Sequence, residues 1–169
     1  GWAYWHLNHQ FPGVWMCTTH KQPLLQSALK ANGVERFQWL LPRLSQLNPA
    51  SVEPDETVSS SLLLSLAELI EHLVQSAAHH PLLLEKLHGV YRQELRARGW
   101  IAGVASLRTG QIATAFLDYC EPLRRIPEFA ALAEDEEGMA TQLGRLLRPP
   151  RSGTHPLRHL LLIHWLFGD

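Results

Sequence analysis

Apolar residues recur at helical spacing along most of the chain from residue 59 onward. Over 59–77 they return every three or four positions, opposite polar and acidic residues, as in an amphipathic helix. The same period continues over 82–98 and over 106–123, and the run 157–167 is apolar nearly all round. The sequence therefore predicts an all-α fold whose last helix is buried by the others. In the first of these helices, the positions expected to face the core are Leu62, Leu66, Leu69, Ile70, Leu73, Val74 and Ala77.

The first 48 residues have a weaker pattern. Two short apolar runs, 23–30 and 34–46, are predicted to form helices. The polar stretch 49–58 is interrupted by two prolines and is therefore predicted to be a linker. We accordingly expect a small module over residues 1–48, the linker, and a helical bundle over 59–169.

Within the bundle, two helices and the segment between them resemble a helix-turn-helix at about residues 81–123. Gly99 is expected to end the first helix, and 100–105 is predicted to be an extended or turning connection. Ser106 is a suitable N-cap for the second helix. The connection is longer than the few residues usual in this motif.

A helix-turn-helix would bring five side chains to DNA. Arg108, Thr109 and Gln111, at the start of the second helix, would reach base edges in the major groove. Arg92 and Arg96 lie one turn apart and would contact phosphates. Periodicity alone leaves an alternative open, an ordinary helical bundle whose arginines are solvated.

Composition limits the class of protein. A chain of 169 residues that is 46% hydrophobic can bury a sizeable core. Its two cysteines exclude a disulfide framework and fit a reducing cytoplasm. The longest apolar run, 160–167, is much shorter than the roughly 20 residues of a membrane-spanning helix. We therefore expect a soluble cytoplasmic protein.

The formal net charge of −1 hides a segregated distribution. Residues 50–72 contain acidic but no lysine or arginine residues, whereas basic residues outnumber acidic ones over 81–125. An acidic cluster at 134–137 precedes four arginines that have no acidic residue among them. This pattern permits contact with nucleic acid and is equally typical of a surface that binds proteins.

Cys17 and His20 have the Cys-x-x-His spacing that places a thiolate and an imidazole on one tight turn. Together they would form one edge of a tetrahedral zinc site. The spacing is also frequent by chance, and a buried thiol beside an ordinary histidine is the alternative. A third possibility is that His6 and His9 complete a four-ligand site. The other cysteine, Cys120, is predicted to be a buried thiol.

Three ordered stretches resemble the TniQ/TnsD family, the target-site selectors of transposons that move by a heteromeric transposase. The first is the run 4–25, in which His9-Gln10-Phe11-Pro12-Gly13-Val14 leads into Cys17-Thr18-Thr19-His20. The second is Tyr91-Arg92 followed by Leu95 and Gly99-Trp100. The third is His155-Pro156-Leu157-Arg158-His159-Leu160-Leu161-Leu162-Ile163.

The resemblance implies a zinc site in which Cys17 and His20 are the third and fourth ligands. The family's other two ligands are a Cys-x-x-Cys pair upstream of the aromatic run, so the resemblance predicts an internal fragment with an incomplete zinc site. It also implies a bacterial protein that binds insertion-site DNA, directly or through a guide-RNA effector complex. Such a protein recruits the transposon's regulatory AAA+ ATPase.

The sequence contains no motif of a familiar active site. A P-loop, a dinucleotide fingerprint and the signature of a zinc deaminase are all missing. We therefore predict a protein that is not an enzyme. The competing hypothesis is an all-α scaffold that docks the ATPase through acidic faces at 68–71 and 134–137 and does not itself contact DNA.

Overall fold

The computed structural model describes residues 5–27, 41, 43, 47–49, 58–77, 79, 83–102, 106–107, 109–149 and 154–168. These residues are mostly helical, with five α-helices and six short strands. The chain divides into two compact units, residues 1–71 and residues 72–169. The predicted helical class is therefore confirmed, with short strands added to it. The predicted linker lies mostly outside the described residues and stays a prediction.

Four short strands form two antiparallel pairs in the N-terminal unit. Strand β1 (Met16–Cys17) pairs with β2 (Gln22–Pro23), and β3 (Leu25–Ser27) pairs with β4 (Leu47–Pro49). A 3-10 helix, Asn8–Gln10, precedes them.

The prediction of a helix over 23–30 is wrong where that segment is described, because its backbone pairs with other strands instead. A short apolar run does not distinguish a strand from a helix by its period. The predicted helix over 34–46 lies outside the described residues, apart from Leu41 and Arg43, which have no regular structure.

Helix α1 spans Val58–Ala77 and confirms the helix predicted over 59–77. It runs across the division between the two units. Val74 is 41% exposed and Ala77 is also exposed, so the prediction that these two residues face the core is wrong. Leucines cover more than half of the helix circumference, and periodicity therefore could not select the buried side. The buried residues are Leu63, Leu66, Ala67 and Ile70.

Helix α2 spans Leu84–Ala97 and ends where the sequence predicted, at Gly99. Gly99 has a φ of 73°, in the left-handed region that glycine adopts without a steric penalty. Its N–H donates to the carbonyl of Arg96, and the N–H of Trp100 donates to the carbonyl of Leu95. These two bonds form a Schellman motif, which satisfies carbonyl groups left open at the helix end.

A β-hairpin follows α2. Strand β5 (Ile101–Ala102) pairs with β6 (Ser106–Leu107), with Ile101 opposite Leu107 and Ala102 opposite Ser106. The prediction of Ser106 as a helix N-cap is therefore wrong, because its backbone belongs to a strand. Helix α3 begins later and spans Thr109–Cys120. A hairpin thus separates the two helices of the predicted helix-turn-helix, and that motif is not confirmed.

The rest of the C-terminal unit packs around α3. Two 3-10 turns, Glu121–Leu123 and Pro127–Phe129, lead to α4 (Glu136–Leu146), and α5 (Pro156–Phe167) ends the described chain. Helix α3 packs along α4, and α2 packs against α5. The prediction of a buried last helix is confirmed, and its buried residues are Leu157, Leu161, Leu162, His164 and Leu166.

Side chains cap the last two helices. Asp135 Oδ1 accepts a hydrogen bond from the N–H of Gly138 at 2.7 Å, which satisfies one open donor at the start of α4. The His155 ring nitrogen Nδ1 accepts from the N–H of Leu157 at 3.4 Å at the start of α5. Both helices therefore begin at a side-chain cap.

Candidate functional site

The Cys-x-x-His segment forms the turn between β1 and β2. Cys17 lies opposite Gln22 in the strand pair, and the four residues 18–21 connect them. The N–H of Lys21 donates to the carbonyl of Cys17 at 2.7 Å, and Lys21 has a positive φ of 53°. The N–H of Leu24 donates to the carbonyl of Trp15 at 2.9 Å and extends the pairing beyond the strands. The turn is therefore fixed by backbone bonds on both sides of the cysteine.

Cys17 and His20 point towards each other. The distance from Cys17 Sγ to His20 Nδ1 is 3.3 Å, and the backbone N–H of His20 lies 3.5 Å from the same sulfur. With usual zinc–sulfur and zinc–nitrogen bond lengths, the corresponding edge of a tetrahedral site measures about 3.5 Å. The two donors thus fit one edge of a zinc site with little movement. The same distance also fits a hydrogen bond between a buried thiol and an ordinary histidine, so both the zinc edge and that alternative agree with this geometry.

A complete metal site is not formed within the described part of the chain. These residues contain no group of three or more histidine, cysteine or acidic side chains that could hold a metal ion. The possibility that His6 and His9 complete the site with Cys17 and His20 is therefore not realised. His6 and His9 instead contact each other, with ring centroids 4.6 Å apart.

His9 nevertheless lies in the electrostatic environment of the turn. Burial lowers the pKa of His9, and the neighbouring His6 and His20 lower it further, while the Glu71 carboxylate acts in the opposite direction. The ring is therefore biased towards its neutral form. It lies beside the turn, as a neighbour of the donor pair and not as a third donor.

Glu71 connects the Cys-x-x-His turn to helix α1. Its Oε2 accepts a hydrogen bond from Thr18 Oγ1 at 3.0 Å, and its Oε1 accepts one from Asn8 Nδ2 at 3.1 Å. All three residues belong to the N-terminal unit. The sequence pattern indicated a place for Glu71 on an acidic docking face and did not predict this contact. Partners 53 and 63 positions apart leave no local pattern that could have revealed it.

The predicted DNA-contacting residues are only partly described. Arg96 is exposed and Arg92 is half-buried, one turn apart on α2, and neither has an ion pair among the described residues. Gln111 is exposed on α3. Arg108 lies outside the described residues. Thr109 begins α3, and its side chain also lies outside them.

Two other basic residues of the same block have structural roles. Arg98 forms an ion pair with Glu94 at 2.8 Å and donates to the carbonyl of Leu166. Arg124 lies 3.2 Å from the Glu121 carboxylate and donates to the carbonyl of Ala133 at 2.6 Å. These two basic residues of 81–125 are therefore engaged in contacts within the protein.

Two tyrosine–histidine contacts join the helices of the C-terminal unit. The Tyr91 hydroxyl lies 3.2 Å from His159 Nδ1, and the Tyr119 hydroxyl lies 2.8 Å from His164 Nδ1. Burial raises the pKa of both tyrosines and lowers that of both histidines. Tyr91 and His159 belong to two of the stretches that carry the family resemblance, so those stretches meet in the fold.

Cys120 is fully buried, and burial raises the pKa of its thiol to about 12. The prediction of a buried thiol is confirmed. At neutral pH this cysteine is almost wholly protonated and inaccessible, which makes it a poor nucleophile. It takes no part in the candidate site.

A helical unit preceded by a Cys-x-x-His turn defines the structural class of this chain. The sequence profile of the TnsD family, described as Tn7-like transposition protein D, matches residues 66–169. The chain belongs to this family of transposition proteins. Comparison with curated proteins and with solved structures gave no match. Among the described residues, no helix is both long and apolar enough to cross a membrane.

Proposed function

We propose that this protein selects the target site for transposition. It binds insertion-site DNA, or a guide-RNA complex on that DNA, and recruits the regulatory AAA+ ATPase of the transposon. The single observation that carries the proposal is the TnsD family match, which extends from the middle of α1 to the end of the chain. The protein acts by binding and positioning other molecules and not by catalysis.

The exposed side of α2 is the proposed contact to DNA phosphates. Lys86, Gln93 and Arg96 are exposed on one side of this helix, and Arg92 lies at its edge. Long cationic side chains on one helix face suit the regular spacing of backbone phosphates. We expect these contacts to supply affinity, whereas base readout is assigned to the start of α3, where Gln111 is exposed.

Salt dependence tests the phosphate contacts. For the chain and for Arg92→Ala/Arg96→Ala, the affinity for duplex DNA is measured over a range of salt concentrations. Each lost phosphate contact should reduce the slope of log affinity against log salt by about one. Arg145→Ala, which removes an exposed arginine on α4, is the matched control and should leave the slope unchanged. Equal slopes for all three proteins would contradict the assignment to α2.

The alternative function is a scaffold that binds the ATPase without touching DNA. It is favoured by the acidic cluster before and within the first turn of α4, where Glu134, Asp135, Glu136 and Glu137 are all exposed. Glu71 contributes less to such a surface, because Thr18 and Asn8 occupy its carboxylate. A chain that binds the ATPase but no duplex at low salt would favour the scaffold over the DNA-binding function.

The Cys17–His20 pair is proposed to bind zinc together with two further ligands. Zinc would supply a structural cross-link that compensates for the small apolar core of this part of the chain. The test is a Co²⁺ titration of the chain extended upstream with the family's Cys-x-x-Cys pair, followed through the thiolate-to-cobalt absorbance band. Cys17→Ser should weaken binding strongly, and an unchanged titration would exclude Cys17 as a ligand.

A further inference from the structure

We propose that Glu71 is a positioning residue for the Cys17–His20 pair: its carboxylate holds the turn in the donor-ready geometry before a metal arrives. This inference rests on the metal-binding role proposed above. It concerns the residue that fixes the two donors, and its test does not depend on transposition.

The contacts of Glu71 converge on the turn from two directions. Thr18 immediately follows Cys17 and gives its hydroxyl hydrogen to one carboxylate oxygen. Asn8, in the 3-10 helix before β1, gives an amide hydrogen to the other oxygen. Both acceptors belong to one rigid group on a long helix, so the bonds link the turn, the preceding 3-10 helix and α1.

The two Glu71 hydrogen bonds act as a tether, which the turn needs because little apolar packing surrounds it. Among the described residues before β2, the buried side chains are Val14, Met16 and Cys17, and positions 19–21 are exposed. A segment with few buried contacts opens locally at low cost in free energy. Hydrogen bonds to a charged acceptor are stronger than those between neutral groups and oppose that opening.

Holding the donors in place should strengthen metal binding. Residues that orient metal ligands without touching the metal typically affect affinity by about 10- to 100-fold. Thr18 transmits the effect of Glu71, because the backbone that carries its hydroxyl also carries Cys17. Loss of the carboxylate should therefore change the affinity for the metal and leave the set of ligands unchanged.

The first experiment measures the turn without metal. Labelling of Cys17 by a thiol reagent is followed by peptide mass spectrometry in a chelating buffer. Since Cys17 is only 7% exposed, reaction requires local opening. Glu71→Ala should accelerate labelling by about five- to tenfold, the effect of losing bonds of this kind. Glu68→Ala removes an exposed carboxylate one turn earlier on α1 and should have no effect.

Two controls separate the tether from charge and from unfolding. Thr18→Val keeps the charge of Glu71 and deletes one of its hydrogen bonds, so this variant should also accelerate labelling. Glu71→Ala/Thr18→Val should react no faster than Glu71→Ala, because both changes remove the same bond. Cys120 is fully buried and reports global unfolding. Faster labelling at both cysteines in every variant would show general loss of the fold and overturn the proposal.

The second experiment measures the metal. In the upstream-extended chain, Glu71→Ala should weaken Co²⁺ affinity by about tenfold and leave the absorbance spectrum of the loaded protein unchanged. Glu71→Gln, which keeps one acceptor oxygen, should give an intermediate affinity. If the unsubstituted chain binds no Co²⁺, the metal role fails, while the labelling results still decide the tether. If Cys17 labels at equal rates in Glu71→Ala and Glu68→Ala, the tether itself is refuted.

Discussion

The two units of this chain are stabilised by different kinds of interaction. In residues 72–169, helices bury large apolar side chains against one another, and Trp165 stacks on Trp100 with ring centroids 5.0 Å apart. In residues 1–71, the described segment before α1 has short strands and few buried side chains, and the Glu71 carboxylate of α1 joins its 3-10 helix to the β1–β2 turn. A small module with little core generally needs a metal or polar cross-links, whereas a larger helical unit does not.

The same contrast separates the two cysteines. Cys17 lies with its sulfur 3.3 Å from the His20 ring nitrogen, whereas Cys120 lies in the apolar core of the other unit, where burial raises its pKa. The two cysteines therefore differ in role: Cys17 is a candidate metal ligand, and Cys120 packs in the core. The environment decides between the two roles, since a thiol holds a metal only together with neighbouring donors.

The largest expected effect is in the apolar core. Leu161→Ala removes a fully buried side chain from α5 and should lower the free energy of unfolding by about 2–5 kcal/mol. Leu83→Ala makes the same chemical change at a residue that is 51% exposed and should alter it by less than about 0.5 kcal/mol. Urea denaturation measures both. Equal losses in the free energy of unfolding at the two positions would contradict the assignment of Leu161 to the apolar core.

Acid should weaken the helical unit next. The unfolded chain protonates His159 and His164 near their usual pKa of 6.5, while burial holds both below it in the fold. The unfolded state therefore takes up more protons below that pH, and stability falls as the pH drops from about 7 to about 5. Urea denaturation across this range, with His159→Gln as the variant expected to flatten the slope, tests this. A free energy of unfolding that increases towards pH 5 would contradict the predicted direction of the pH dependence.

The smallest expected effects on stability come from substituting two glycines of the α2 region. Gly99→Ala places a side chain at a φ of 73° and should cost about 1–2 kcal/mol. Gly89→Ala, in the middle of α2, adds a Cβ that meets no atom within 4 Å and should stabilise by about 0.5–1 kcal/mol. The melting temperature should fall in Gly99→Ala and rise in Gly89→Ala. Shifts in the same direction would contradict the described conformation of α2 and of the turn that ends it.

Sequence reasoning succeeded where a pattern was long and locally capped. Helix α1 was predicted from an apolar period that lasts for five turns, and α5 from the apolar run 157–167. The end of α2 was predicted from Gly99 alone, because few other residues adopt its backbone conformation. These features depend on neighbours within a few positions.

It failed where backbone pairing or a distant partner decides the structure. Strand β3 was predicted as part of a helix, since its pairing with β4, about 20 residues away, leaves no trace in a five-residue window. Ser106 suited a helix N-cap, but the hairpin placed it opposite Ala102. Glu71 was assigned to a docking face, because its hydrogen-bond partner Thr18 is distant in the sequence. The Cys-x-x-His pair was found because both of its donors lie on one turn.

The central claim is that this TnsD family protein directs transposition to a chosen site. It is tested most directly by sequencing insertion junctions in cells that carry the transposon with the intact gene or with Arg92→Ala/Arg96→Ala. The account predicts insertions concentrated at one site with the intact gene and a loss of that concentration with the variant, which remains folded as judged by thermal melting. Insertions that are equally concentrated with the variant, or scattered with both genes, would contradict it.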